Sequence, residues 1–255
     1  MPIFSVERRK VIVDHARQTG RADVSELSKL LSVSQETIRR DLNGLEEAGL
    51  VRRVHGGAVP VERLGFESDL ATRSERMSEE KNRIADATVE YLENAEAIYV
   101  DEGVIFQRLA DRIQPATPLT VVTNSLAIAS TLAGRQNVEV ISLGGRVRSK
   151  TLGVVDFWAI EMLSTMVIDL AIMGANGISV RHGATVPDAA IAEVKSAAMR
   201  QARRSMLIAD HSKVGADSFV RFADLRDFDT FITDDGVDRA GAAEIAATGI
   251  SLVRV

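Results

Sequence analysis

The chain contains no cysteine and has only 4 histidines among its 255 residues. Without thiols it cannot form a disulfide framework or a cysteine-ligated zinc site. The histidines are too dispersed to match the ligand spacing of another metal site. The sequence also lacks an apolar run of about 18 residues and a basic, then apolar, leader segment. We therefore expect a cytoplasmic protein that uses no metal or other cofactor and does not contact a membrane.

Positive charge is scarce as well. The whole chain has 31 Lys and Arg against 36 Asp and Glu, whereas residues 1–60 have 10 against 8 and so carry a small positive excess. If this segment binds nucleic acid, so small a charge excess gives only modest nonspecific attraction to phosphates. Tight binding would then need a few well-placed arginines and several copies of the chain on repeated half-sites of the nucleic acid. We therefore expect a homo-oligomer, either a dimer or a tetramer.

A capped amphipathic helix is predicted to begin at Ser34. The Ser34 hydroxyl can accept a hydrogen bond from the unpaired backbone N–H groups of the first turn. Ile38, Leu42 and Leu45 then recur at i, i+4 and i+7, so they share one narrow apolar face. The opposite face is polar and carries adjacent arginines, as expected for a helix that meets a polar partner.

The surrounding segments complete a winged helix-turn-helix. Residues 23–31 predict a helix with Asp23 and Ser25 as candidate caps, followed by a tight turn into Ser34. Residues 50–58 predict a basic hairpin that turns at two glycines. The predicted apolar positions of the first two helices are Val6, Ile12, Val13, Ala16, Leu27, Leu30 and Leu31. We assign residues 1–58 to this DNA-binding domain.

In such a unit the second helix of the pair enters the major groove, where arginines bind phosphates or read guanine. An arginine pair on a helix is more often only a solvated face, so the neighbouring wing is needed to favour a functional interpretation. The predicted DNA contacts are Ser34, Gln35, Thr37, Arg39, Arg40, Arg52, Arg53, His55, Gly56 and Gly57.

The rest of the chain has the pattern of an α/β domain. Residues 59–77 show little periodicity and are predicted to be a linker, and 78–255 form the second domain. Short apolar runs alternate there with helical patterns, which favours a largely parallel sheet. The predicted strands are Ala97–Val100, Leu119–Val122, Val138–Leu143, Asp169–Met173, Met206–Ala209, Thr230–Thr233 and Ile250–Val253.

Polar and glycine residues follow each predicted strand. Ligands of parallel sheets bind beyond the carboxyl ends of the strands, so we expect these residues to share one rim. Glycine amides, hydroxyls, carboxylates and cations together suit a sugar phosphate, although a single glycine or Asp after a strand is often only a turn or a cap. The candidate effector residues from this pattern are Asp101, Glu102, Gly103, Asn124, Gly144, Gly145, Arg146, Asp210 and Lys213.

The first domain resembles the N-terminal module of the DeoR family of bacterial transcriptional repressors. The family signature is similar to VSxxTIRRDLxxLExxGxxxRxHGGA. The matching residues here are Val33, Ser34, Thr37–Leu42, Leu45, Glu46, Gly49, Arg53 and His55–Ala58. The match is long and ungapped, and it implies a sequence-specific repressor whose partner is a double-stranded DNA operator.

The second domain resembles the DeoR-type sensor domain, which is related to ribose-5-phosphate isomerase. The matching motifs are VVTNS at 121–125, LGGRV at 143–147, DLAIMGANGIS at 169–179 and ADHSK at 209–213, with Gly153, Gly183, Thr185 and Lys195. The resemblance implies that a sugar phosphate binds at or near Asp101, Asn124, Gly144, Lys195 and Lys213. Sugar uptake or catabolism genes are the implied targets.

The loop after the first strand departs from the family pattern. The family has Asp, Ser, Gly, Thr, Thr, whereas residues 101–105 read DEGVI, so three hydroxyls are absent and a carboxylate is present. Glu102 would repel a phosphate unless it turns away or pairs with Arg146, Arg148 or Lys150. With TLGVVDFW at 151–158, this loop resembles actinobacterial sugar-uptake regulators, which implies phosphorylated hexoses, fructose phosphates among them, as effectors.

Two other functions fit parts of the pattern. The rim carboxylates Asp101, Glu102, Asp210 and Asp234 would suit a sugar-phosphate isomerase or deaminase with a DNA-binding head. Fold kinship does not transfer chemistry, and the sequence offers no matched acid and base pair, so we predict a non-enzyme. A DNA-packaging protein is disfavoured by the acidic second domain. The residues leave open whether the effector releases or strengthens DNA binding.

Overall fold

In the computed structural model, residues 5–19, 21–47, 50–54, 56–60 and 77–255 are described. The chain divides into two compact units, Met1–Ser68 and Asp69–Val255. The division falls within the predicted linker, residues 59–77, most of which lies outside the described residues. The exact domain boundaries therefore stay a prediction.

The first unit is a winged helix-turn-helix, as predicted. Its helices are α1 (Ser5–Thr19), α2 (Val24–Leu30) and α3 (Gln35–Glu47), and its strands are β1 (Ala22–Asp23), β2 (Val51–Val54) and β3 (Gly57–Pro60). The strands form an antiparallel sheet in the order β1-β3-β2. The wing therefore has a third strand, β1, that the sequence pattern did not predict.

The core of the first unit follows the predicted apolar stripes with one exception. The stripe of α3 is fully buried, and it packs on apolar residues of α1 and α2. Leu30, however, is 57% exposed. Leu27 and Leu31, spaced i and i+4, face the core, and Leu30 ends α2 on the adjoining face, so its predicted core position is wrong. The Val6 side chain lies outside the described residues.

The second unit is built on a seven-stranded parallel sheet in the order β15-β14-β12-β9-β4-β5-β6. Its strands are β4 (Ala97–Val100), β5 (Leu119–Thr123), β6 (Val138–Ser142), β9 (Ile168–Met173), β12 (Ala202–Ile208), β14 (Thr230–Thr233) and β15 (Ser251–Arg254). All seven predicted strands are present. The main difference is that β12 begins at Ala202 rather than at Met206.

Helices and short strands surround the sheet. The helices are α4 (Ser78–Val89), α5 (Val104–Arg112), α6 (Leu126–Leu132), α7 (Phe157–Ser164), α8 (Ala189–Gln201) and α9 (Arg239–Ala246), and 3-10 turns span Glu90–Leu92, His211–Lys213 and Leu225–Asp227. A hairpin pairs β7 (Arg146–Val147) with β8 (Val154–Val155), and an antiparallel sheet joins β10 (Gly177–Ser179), β11 (Gly183–Val186) and β13 (Val220–Ala223). The sequence pattern did not predict these two additions.

Apolar side chains cover both faces of the parallel sheet. Tyr99 and Ala171 belong to the core on one face, and Ile98, Val100 and Leu170 belong to the core on the other. Strands buried on both faces read as continuous apolar runs, which is why they were recognisable in the sequence. No helix within the described parts of the chain is long and apolar enough to cross a membrane.

Candidate functional site

The exposed face of α3 carries the predicted DNA-contacting side chains. Ser34 caps the helix, because its Oγ accepts a hydrogen bond from the Thr37 N–H at 3.2 Å. Ser34, Gln35, Arg39 and Arg40 are exposed, and Thr37 is partly buried. Arg39 donates to Gln35 Oε1 at 3.3 Å. Contacts of this exposed kind contribute little to stability, so they can be exchanged for contacts with DNA at small cost.

A buried ion pair fixes α3 against α1. Asp41 is 3% exposed, and its two carboxylate oxygens lie 2.5 Å from Arg8 Nε and 3.2 Å from Arg9 Nε. Sequence reasoning missed this contact. Asp41 is three residues after Ile38 and four before Leu45, and this spacing on the apolar stripe was the signal that could have revealed a buried carboxylate.

The wing presents arginines beside a tightly packed glycine. Arg52 and Arg53 are partly buried, and the Arg53 N–H donates to Glu46 Oε1 at 2.7 Å. A Cβ on Gly57 would lie 2.3 Å from the Ala22 carbonyl oxygen. That close approach to β1 explains why position 57 is a glycine, and no contact with DNA is needed to explain it. Gly56 is exposed, with φ at +76°, and the predicted contact His55 lies outside the described residues.

The carboxyl ends of the parallel strands form one rim in the second unit. Asp101, Glu102 and Gly103 follow β4, Asn124 follows β5, Gly144 follows β6, and Asp210 follows β12. Gly145 and Arg146 lead into the β7 hairpin, and Lys213 ends the turn that follows Asp210. The predicted rim is therefore present, with Lys195 added from α8.

Asp101 and Lys195 form a buried ion pair at the centre of this rim. Asp101 is fully buried, and the Lys195 side chain is 5% exposed. The Asp101 carboxylate contacts the Lys195 ammonium and accepts from the N–H groups of Glu102 at 2.9 Å and Gly174 at 2.8 Å. Lys195 Nζ also donates to the Gly174 carbonyl at 3.1 Å. These contacts tie β4, β9 and α8 together below the rim.

Glu102 turns inward and pairs with a cation. Its carboxylate accepts from Arg148 Nη1 at 2.9 Å and from Thr151 Oγ1 at 2.5 Å. Burial raises the pKa of Glu102, and Arg148 and Thr151 oppose that rise. Among the three cations considered from the sequence, Arg146 instead pairs with Asp156 at 2.6 Å.

Asn124 and the neighbouring glycines line the rim between β5 and β6. The Asn124 Nδ2 donates to the Val154 carbonyl at 3.3 Å, whereas its buried Oδ1 accepts no hydrogen bond from the described residues. The Gly144 N–H contacts Met162 Sδ at 3.2 Å. Gly145 has φ at +143°, and a Cβ there would lie 2.5 Å from the Val155 carbonyl oxygen. Gly145 is thus required by the backbone itself.

Asp210 and Lys213 occupy the turn after β12. Asp210 is buried and accepts from the Ser212 N–H at 3.1 Å. Burial raises the pKa of Asp210, but the positive charges of Lys213 and Lys81 and the hydrogen bond from Ser212 lower it, so the net shift of this pKa is downward. Asp210 therefore lies close to positive charge.

His211 begins this turn, and its pairing with Asp234 was not predicted from the sequence. His211 Nδ1 lies 2.5 Å from Asp234 Oδ2, and the His211 N–H donates to Asp234 Oδ1 at 2.7 Å. The hydrogen bond to Asp234 raises the pKa of His211. Asp234 directly follows β14, and His211 lies three residues after the end of the neighbouring strand β12, so their position after a strand was the available signal.

Both units match known protein families. The profile of the DeoR-like helix-turn-helix domain matches residues 8–63, and that of the DeoR C terminal sensor domain matches residues 76–235. The HTH-type transcriptional regulator GlpR of Haloferax volcanii is 36% identical over 251 residues, covering 98% of each chain. The HTH-type transcriptional repressor GlcR of Bacillus subtilis is 32% identical, covering 98% of this chain and 96% of the relative.

Further relatives and solved structures are more distant. The glycerol-3-phosphate regulon repressor of Escherichia coli is 31% identical, covering 89% of this chain and 90% of the relative. The sorbitol operon regulator SorC of Klebsiella pneumoniae has a TM-score of 0.41 at 14% identity, covering 97% of this chain and 96% of that one. Ribose 5-phosphate isomerase A of Methanocaldococcus jannaschii has a TM-score of 0.40 at 12% identity, covering 54% of each chain. Both structural likenesses are weak.

Proposed function

The chain belongs to the DeoR family of transcription regulators, and on that premise we propose that it represses sugar uptake or catabolism genes in response to a phosphorylated sugar. The proposed site of action is an operator in the cytoplasm, which α3 contacts through Gln35, Thr37, Arg39 and Arg40. A sugar phosphate on the rim of the second unit then changes the affinity of the first unit for DNA.

The observation that carries the proposal is the convergence of cations, carboxylates and an amide on one rim. Lys213 supplies positive charge beside Asp210, and the buried Lys195 offsets the charge of Asp101. The unsatisfied Oδ1 of Asn124 can accept from a ligand hydroxyl. Cations for a phosphate and acceptors for hydroxyls are the two requirements of a sugar-phosphate site.

The rim supports a sensor better than a catalyst. Asp101 is engaged by Lys195, Glu102 by Arg148, Asp210 by the Ser212 hydroxyl and N–H, and Asp234 by His211. A general base needs a lone pair free to approach a substrate proton, and these carboxylates are committed to their partners. We therefore propose that the protein binds its sugar phosphate without turning it over.

The proposal is tested by binding the protein to its own upstream DNA while titrating fructose 1-phosphate and fructose 6-phosphate at fixed salt. Release by one of them at micromolar concentration supports a repressor that is induced by that sugar. Tight, sequence-specific binding that no sugar phosphate alters would retain the DNA-binding function and reject the sensing function. Turnover of either compound would instead support the enzyme alternative.

Replacing Lys213 with alanine is expected to leave operator affinity unchanged and to weaken the effector response. A hydrogen bond to a charged group contributes about 1.5 to 3 kcal/mol, so the effector concentration for half-release should rise roughly 10- to 150-fold. Fluorescence anisotropy of labelled operator measures both quantities. Arg200→Ala, at an exposed position of α8, is the control. Half-release at the wild-type concentration would remove Lys213 from the site.

We also propose that a second copy of the chain covers an exposed aromatic pair. Phe157 and Trp158 begin α7, are 59% and 66% exposed, and lie edge to face with ring centroids 5.3 Å apart. Adjacent exposed aromatic rings are typical of protein interfaces. A second copy is the favoured occupant, because the small charge excess of residues 1–60 requires more than one DNA-binding unit for tight operator binding.

The double variant Phe157→Ser/Trp158→Ser is expected to dissociate the oligomer. An aromatic anchor at an interface contributes about 2 kcal/mol or more, so the dissociation constant should rise by about 30-fold or more. Sedimentation velocity over a concentration series measures it. Val167→Ser, at a position 69% exposed before β9, provides the control. An unchanged mass in the double variant would show that another surface forms the oligomer.

A further inference from the structure

The Glu102 carboxylate links two loops at the rim. It follows β4, and its side chain is only 6% exposed, while that of its partner Arg148 is 13% exposed. Arg148 belongs to the β7–β8 hairpin, whose loop is closed by hydrogen bonds from the Arg148 N–H to Gly153 O at 2.8 Å and from the Leu152 N–H to Arg148 O at 2.9 Å. Glu102 thus joins the loop after β4 to the loop of this hairpin.

The loop is shaped around this carboxylate. A Cβ on Gly153 would lie 1.5 Å from Glu102 Oε2, so the glycine leaves the space that the carboxylate fills. Thr151 is 1% exposed, and its hydroxyl lies 3.0 Å from Arg148 Nη1 as well as 2.5 Å from Glu102. We call this cradle of Arg148, Thr151 and Gly153 the anion seat. A guanidinium beside a hydroxyl binds phosphate oxygens as readily as carboxylate oxygens.

The surroundings of Glu102 in the anion seat both favour and disfavour its ionised form. Burial and the negative charge of Asp101 disfavour its ionised form, whereas Arg148, Thr151 and Lys195 favour it. A phosphate brings more negative charge and more acceptor oxygens to the same guanidinium than one carboxylate does. It can therefore compete for the seat, provided that Glu102 leaves.

We propose that Glu102 is a built-in competitor for the effector, whose phosphate binds only by displacing the Glu102 carboxylate from Arg148 and Thr151. The inference rests on the proposed sugar-phosphate function and adds the residue that sets its affinity. It assigns Arg148 and Thr151, which the sequence pattern did not select, to the phosphate. It also gives a direct coupling, because ligand entry replaces the contact between the β4–α5 loop and the hairpin.

Glu102→Gln tests the competitor. Glutamine keeps the size of the side chain but pairs less strongly with Arg148, so binding of fructose 6-phosphate and of inorganic phosphate to the full chain should tighten by about 10-fold or more. Isothermal titration calorimetry measures both affinities. A residue with only a structural role would lower the affinity when replaced. Glu139→Gln, at an exposed position of β6, should change neither affinity.

Two further variants complete the test. Glu102→Ser opens the seat with a smaller side chain and should also tighten binding, which covers the case in which the glutamine variant fails to fold. Arg148→Met in the Glu102→Gln background should abolish the gain. A wild-type protein that binds phosphate while both Glu102 variants bind it equally or more weakly would overturn the competitor alone. If neither the wild type nor any variant bound either compound, the sugar-phosphate function itself would be rejected.

Discussion

Replacing Lys195 with methionine is expected to lower the free energy of unfolding of the second unit by about 3 to 5 kcal/mol. The methionine preserves most of the side-chain length but leaves the fully buried Asp101 carboxylate without its cation. The N–H groups of Glu102 and Gly174 remain as donors, yet two hydrogen bonds do not replace a neutralising charge. Urea unfolding of the full chain, followed by circular dichroism, measures the loss.

A double variant separates the lost charge from lost packing. Asp101→Asn combined with Lys195→Met removes both charges, so it should be less destabilised than Lys195→Met alone. Arg200→Met, at an exposed position of the same helix, should cost less than about 1 kcal/mol. If the free energy of unfolding of Lys195→Met lay within about 1 kcal/mol of the wild-type value, the buried Asp101 carboxylate would not depend on its pairing with Lys195.

The double variant Arg39→Ala/Arg40→Ala is expected to lose about 2 to 6 kcal/mol of operator binding energy, because each arginine that reads a base edge contributes about 1 to 3 kcal/mol. Both side chains are exposed on α3, and the Arg39 contacts with Gln35 and Glu36 are surface contacts that DNA can replace. Anisotropy titrations with operator and with scrambled DNA, each at several salt concentrations, measure the change.

The salt dependence distinguishes the two roles that the arginines can have. Loss of base contacts reduces the preference for operator over scrambled DNA, whereas loss of a phosphate contact weakens both and lowers the salt slope by about 1. Lys10→Ala, which removes an exposed positive charge from α1, is the matched control. Unchanged operator affinity in the double variant would reject α3 as the recognition helix.

Local periodicity made most of the fold predictable. The α3 stripe needs only neighbours three and four residues apart, and the buried strands read directly as apolar runs. Asp41 was not predicted, because its partner Arg8 lies 33 residues earlier and becomes a neighbour only after folding. The two-residue strand β1 likewise exists only because it pairs with β3, 36 positions further along at the Ala22–Ala58 register.

The candidate site was predictable to a similar depth. Position after a strand identified the rim, because parallel strands bring their carboxyl ends together. The sequence could not choose the partner of Glu102 among three nearby cations, since that choice depends on the shape of the hairpin. In the structure Glu102 pairs with Arg148, and Arg146 pairs with Asp156. The His211–Asp234 contact was missed because it joins two loops 23 residues apart.

The short strand β1 connects the wing and the pair of helices α2 and α3 into one rigid unit. Asp23 ends β1, pairs with Gly57 of the wing, and caps α2 by accepting from the Ser25 N–H at 2.8 Å. The Val24 N–H also donates to the Gly56 carbonyl at 3.0 Å. These contacts therefore fix the distance between the wing and α3. An operator with one base pair inserted between the positions that we propose these two elements contact would have to deform to be bound, because the distance between the two elements does not change to follow it.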